Sequence, residues 1–263
     1  MISERVCQRA VFGGSALLFA ASGAVTIHWC ASMSAMAGMP MLGGWTMSMA
    51  WMRMPGQTWA GAAASFLGMW IAMMVAMMSP SLVPMLWRYR QAVGRTGETY
   101  LGLLTALVGV GYFFVWTAFG MAAFPLGVAL AAVEMQLPAL ARAVPIAVGA
   151  VVLIAGALQF TAWKAHHLAC CREAPGCGRP LPADAGTAWR QGLRLGLHCS
   201  YCCAGLTAIL LVIGVMDLRA MAVVTAAITV ERLAPAAERV ARALGVVVVG
   251  AGLFLIARAV ALG

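Results

Sequence analysis

Charge is scarce in this chain of 263 residues: Asp, Glu, Lys and Arg together make up 10% of it, against 63% hydrophobic residues. A soluble domain carries about a quarter of charged residues, so the shortage excludes an ordinary soluble fold and points to an integral membrane protein. A nucleotide loop of the form G-x-x-x-x-G-K-[ST] is missing, which leaves only passive or gradient-coupled movement for any transport. Paired carboxylates and a Ser-His-Asp array are missing too, against a hydrolase or transferase. Neither a separate soluble domain nor an internal repeat is evident. The formal charge of +9 would favour nucleic acid in a soluble protein. Here the basic residues stand in short groups between apolar runs, the pattern of membrane orientation, and no nucleic-acid partner is expected.

Seven apolar runs can be read, at 10–29, 61–87, 100–124, 142–163, 195–216, 219–234 and 243–260. A hydrocarbon core about 30 Å thick needs about 20 helical residues, and all but the sixth run reach or approach that length. The sixth carries Glu231 and Arg232 near its end and Pro235 beyond, as a short tilted span or a half-helix would. The first run follows Arg5 and Arg9 as in a signal peptide, but its length to Trp29 makes it a retained span. The expected fold is all-α, a polytopic transmembrane helix bundle of six to seven spans forming a single integral membrane domain over residues 1–263.

With the N-terminus inside, thirteen Lys and Arg residues face inward and four outward. This positive-inside bias predicts a multi-pass protein of a bacterial inner (cytoplasmic) membrane, with the lipid bilayer as its first partner. It places a Met-rich loop over residues 30–58 outside and a Cys/His loop over 164–194 in the cytoplasm.

What the chain has in excess is sulfur. Fourteen of its nineteen methionines fall between Met33 and Met85, and six of its eight cysteines between Cys170 and Cys203. Thioether and thiolate are soft ligands, so a metal ion is the expected partner, with Cu(I) leading and zinc second. In the exterior loop the donors are His28, Cys30, Met33, Met36 and Met39, followed by further methionines to Met54. The competing reading of that loop is an interfacial segment anchored by Met and Trp. In the second run Met69, Met73 and Met77 share one helix face, while Met74, Met78, Ser81 and Met85 line the adjacent one. Plain packing is the alternative there, since methionine fills irregular cores.

The fifth run opens with LHCSYCCAGL, in which His198, Cys199, Cys202 and Cys203 fall within two turns, and spacings of three and four residues put thiols on one face. C-x-x-C is also the spacing of dithiol redox sites. Just before it, KAHHLACCRE carries His166, His167, Cys170 and Cys171, with Cys177 further on; a helix here pairs His166 with Cys170 and His167 with Cys171. At 1.5 Å per residue the methionines of the second run and the cysteines of the fifth lie at similar depth and meet if those helices pack together. Glu231 is expected to form a salt link with Arg194 or Arg232, because an unpaired carboxylate is costly in a membrane.

Four stretches, MWxxMMxAMMxPSxxP (Met69–Pro84), LQFTAWKxxxLxxCR (Leu158–Arg172), CxxCC (Cys199–Cys203) and GVMDLRAM followed by VERLAP, together resemble the bacterial family of predicted metal-binding integral membrane proteins, a domain of unknown function. The likeness covers roughly residues 60–260 and implies metal binding within a membrane domain. This chain departs from the family pattern in pairing Cys170 with Cys171 and in its long Met-rich exterior loop.

Three functions compete. One is a Cu(I)-handling protein that captures, transports or delivers the ion, with a metallochaperone or a membrane metalloenzyme subunit as partner. The second is a membrane thiol-disulfide oxidoreductase, against which stands the inward placement of most cysteines. The third is a non-catalytic accessory subunit. Of these, the non-enzymatic copper reading accounts for both sulfur clusters.

Overall fold

The computed structural model describes residues 2–34, 38–93, 98–173 and 181–262. In chain order these form α1 (Ile2–Ser34), β1 (Met39–Met41), β2 (Trp45–Met47), a 3-10 turn (Met49–Trp51), α2 (Trp59–Val93), α3 (Glu98–Gln136), α4 (Pro138–Leu158), α5 (Ala162–Arg172), α6 (Ala185–Ile213), α7 (Leu218–Leu233) and α8 (Ala237–Leu262). Six helices, α1 to α4, α6 and α8, are long and apolar enough to cross a membrane. The chain is a polytopic transmembrane helix bundle. Large apolar side chains such as Leu103, Val110, Val246, Val247 and Phe254 stand exposed on α3 and α8, a surface suited to lipid rather than water.

The most extensive contacts join α4 to α8 and α3 to α6. Small residues make this approach possible: a Cβ added at Gly156 would fall 2.7 Å from the Val249 nitrogen, and one at Gly252 would fall 2.6 Å from the Leu153 nitrogen. Such positions let membrane helices gain dispersion contacts along their backbones. α2 lies against α1, α3 and α7 and is enclosed on both of its methionine faces, with Met69, Met73, Met74, Met77, Met78 and Met85 all buried. It continues as helix through Pro80 and Pro84.

Both segments read as loops prove more regular than expected. α1 runs on to Ser34, and residues 39–47 form an antiparallel hairpin pairing Met39 with Met47 and Met41 with Trp45. Its turn uses Gly43 and Gly44 at φ 99° and 74°, where side chains are strained. The Trp45 indole donates to the Ala141 carbonyl at 2.8 Å, fastening the hairpin to the first turn of α4.

The described residues of the polar stretch after the fourth run are also largely helical. α4 stops at Leu158, and the Thr161 hydroxyl accepts from the Lys164 amide at 3.2 Å to start a new helix, α5. Asp184 starts α6 in the same way, accepting from the Thr187 amide at 2.8 Å. A side-chain cap therefore starts each of the two helices, although the sequence around them is rich in loop-forming residues.

Gly214, at φ 145°, ends α6, and Asp217 caps α7. α7 has 16 residues, about 24 Å of helix, and is not among the six long helices. It packs on α2, α6 and α8, and its last turn reaches α5. The Arg172 guanidinium, at the end of α5, donates to the carbonyls of Glu231, Arg232 and Ala234. A cation here satisfies acceptors that a helix C-terminus leaves open. The Arg172 carbonyl in turn accepts from Arg88 of α2 at 2.7 Å. The ends of α2, α5 and α7 are therefore tied together.

Candidate metal centre

Helix periodicity divides the cysteines and histidines of α5 and α6 into two groups. Cys171, Cys199, Cys202 and Cys203 are all buried. His166, His167, Cys170 and His198 sit on the more exposed side.

In the buried group, Cys199 Sγ and Cys203 Sγ are 3.9 Å apart, Cys202 adjoins Cys203, and Cys171 of α5 adjoins Cys202. All four are free thiols. Among the described residues no three His, Cys, Asp or Glu side chains converge as a ready-made metal cage. The Cys199–Cys203 gap nevertheless suits two donors to one ion: with metal–sulfur bonds of about 2.3 Å it subtends roughly 115°.

Three ionisable side chains from neighbouring helices end on this group. Arg232 of α7, 2% exposed, donates through Nη1 to Cys199 Sγ at 3.1 Å and to the Ser81 hydroxyl of α2 at 2.9 Å. The Tyr112 hydroxyl of α3 lies 2.9 Å from the same sulfur. Lys164 of α5 donates to the Cys202 carbonyl and to Glu231 Oε2, both at 2.7 Å. The partner of Glu231 is thus Lys164, from α5, and not Arg194 or Arg232 as expected. Arg232 instead turns towards the sulfur. The Lys164–Glu231 pair is enclosed, with side chains 4% and 0% exposed, a placement that is tolerable only because each charge is paired.

The methionines of α2 share one hydrophobic core with these thiols. They do not meet them through face-to-face packing of α2 on α6, since α2 lies chiefly against α1, α3 and α7. Arg232 of α7 also links the two helices, donating to Ser81 of α2 and to Cys199 of α6.

On the outer side of α5 and α6, His167 Nδ1 and His198 Nδ1 face each other at 3.1 Å, and Cys170 Sγ lies 3.7 Å from His166 Nε2. His167 also meets the rings of Trp163 and Tyr201. Its pKa is lowered, first by partial burial and then by the neighbouring His166. A neutral imidazole near pH 7 is the form that ligates metal.

The donors expected around the exterior loop are dispersed. His28 is exposed while Cys30 is buried, because residues two apart on a helix lie roughly 200° apart around its axis. Met33 is half-buried near the end of α1. Met36 and Cys177 fall outside the described residues. Met39 and Met41 line a cavity of about 270 Å³ with Glu134 and Met135 from the end of α3, a grouping that linear spacing did not reveal. Sequence reading also missed Tyr112, Lys164 and Arg232 as neighbours of the thiols. Their one visible signal was position within the quoted motifs, which hold Lys164 and Arg232 but not Tyr112.

A family model described as PpoB2, a copper chaperone, matches residues 67–255. No curated protein and no solved structure matches the chain.

Proposed function

Since the chain belongs to the PpoB2 copper chaperone family by a match over more than two thirds of its length, we propose that it holds Cu(I) inside the membrane on the thiols of α6 and passes it to an acceptor. Cys199 and Cys203 are the donors, with Cys202 and Cys171 next in line. The observation that carries this reading is the enclosure of four free thiols in one apolar core with a bank of methionines. Thiolate and thioether together favour Cu(I) over harder ions. The exterior thioethers at Met39, Met41 and Met135 are the capture side. His167 and His198, half-exposed on the opposite group, are a second station where imidazole replaces thiolate. On the positive-inside orientation that station faces the cytoplasm of a bacterial inner membrane. A metallochaperone or a membrane metalloenzyme subunit is the acceptor.

The test is elemental analysis of detergent-purified, reduced protein. Cys199→Ser with Cys203→Ser should abolish stoichiometric copper while the helical content and melting curve persist, because Ser supplies no soft donor. Full copper occupancy in that variant would sink the assignment of the site.

A further inference from the structure

Arg232 carries more donors than its neighbours use. Nη1 is engaged by Cys199 and Ser81, whereas Nε and Nη2 are buried with no hydrogen-bond partner. Among the described residues no carboxylate pairs with it: Glu231, its neighbour in sequence, is taken by Lys164. Lys164 and Glu231 cancel one another, and the core beside the thiols is left with one fixed positive charge. A guanidinium does not give up its proton in a protein, so this charge is permanent.

We propose that Arg232 sets the charge of the ion that this site accepts, making a two-thiolate site selective for a monovalent soft cation, Cu(I) or Ag(I), over a divalent one. The inference rests on the reading of Cys199 and Cys203 as the donors. Each thiol releases its proton to solvent on ligation. Two thiolates around a monovalent ion then carry one net negative charge, which Arg232 neutralises at hydrogen-bond distance. Two thiolates around Zn(II) are neutral and leave the buried guanidinium uncompensated, a costly state where water does not reach. The two idle donors, Nε and Nη2, are then available to the anionic complex. The same arrangement explains why a cation, rather than another methionine, adjoins Cys199: it offsets the repulsion between two thiolates brought together in an apolar core.

The experiment titrates reduced, full-length protein in detergent with Cu(I), Ag(I) and Zn(II) against competing chelators. Arg232→Gln should weaken Cu(I) and Ag(I) binding roughly 10–100-fold, the range for loss of a group supporting a metal ligand, and leave Zn(II) binding unchanged or tighter. Arg232→Lys keeps the charge and should retain the monovalent preference, which a purely structural role would not require. Ser81→Asp sets a carboxylate beside Nη1 and should lower the preference as Arg232→Gln does, whereas Ser81→Asn should not. If Arg232→Gln fails to fold, the Ser81 pair decides. Folded Arg232→Gln or Ser81→Asp protein with the wild-type ratio of Ag(I) to Zn(II) affinity overturns the inference. Loss of copper from the Cys199→Ser, Cys203→Ser protein alongside that ratio would spare the site and remove only the charge argument. Retention of copper in the double Ser protein would remove both.

Discussion

Removing one partner of the Lys164–Glu231 pair should cost far more than removing both. The two atoms are 2.7 Å apart with side chains 4% and 0% exposed, so Lys164→Met strands a fully buried carboxylate that has no second cation bonded to it among the described residues. Breaking a buried pair from one side costs about 3–5 kcal/mol. For a chain of this size each kcal/mol shifts the melting temperature by about 2–4 °C, so the midpoint should fall by roughly 6–20 °C. Replacing both, Lys164→Met with Glu231→Leu, exchanges two paired charges for apolar volume and should be nearly neutral. A double-mutant cycle on protein in one detergent, followed by circular dichroism and by a fluorescence melt, measures the coupling directly. A coupling below about 1 kcal/mol would show that the pair is solvated in the membrane state and that the enclosure described above is wrong. Lys164 also holds the Cys202 carbonyl at 2.7 Å. The single variant is therefore expected to loosen α5 from α6 and raise the reactivity of Cys171 towards a maleimide, a second readout independent of melting.

Other outcomes are equally specific. Gly192→Ala would drive a Cβ into the Val108 carbonyl of α3, whereas Gly109 has open space; the first should destabilise by about 1–3 kcal/mol and Gly109→Ala by little, and equal melting temperatures would contradict the close α3–α6 contact. Replacing Met69, Met73 and Met77 together by Leu conserves volume and should cost less than about 1.5 kcal/mol per site, yet impair copper accumulation if thioether sulfur is used there; normal copper handling in the folded triple variant would make this stripe packing alone. Cysteines introduced at positions 41 and 185 of a chain cleared of exposed thiols should label from the exterior and only after permeabilisation, respectively, following the positive-inside count; exterior labelling at 185 would invert the orientation.

The helices were legible because apolar length is a one-dimensional signal, and six of the seven runs correspond to helices long enough to cross a membrane. α7 was ambiguous for a reason that the structure makes plain: its last turn holds Glu231 and Arg232, which are bonded to Lys164 and to the sulfur of Cys199, and no hydropathy count sees those partners. Helix starts at Thr161 and Asp184 depended on single hydroxyl or carboxylate caps, which lie inside a stretch otherwise rich in loop-forming residues. At the site, the spacing of Cys199 and Cys203 did predict a shared face. It did not predict that His198, one residue away, turns outward to His167, although the 100° step between adjacent residues of a helix requires some such divergence. Tyr112 was invisible, because a lone tyrosine in an apolar run bears no mark of the sulfur it will meet 87 residues later.

Three charged side chains in the core of a membrane protein are a burden that apolar residues would avoid. Replacing a buried ion pair by well-packed hydrophobic groups is often neutral or stabilising, so packing alone offers no reason to send Lys164, Glu231 and Arg232 from two helices to one place. Their ends supply the reason: Lys164 reaches the carbonyl of one cysteine, and Arg232 reaches the sulfur of another. A methionine bank by itself would be adequately explained as filler. A methionine bank that shares its core with four thiols, one of them hydrogen-bonded by a buried guanidinium and a buried tyrosine, is better explained by a need to stabilise negative charge on sulfur. On the copper reading, that charge develops as the arriving ion displaces the thiol protons.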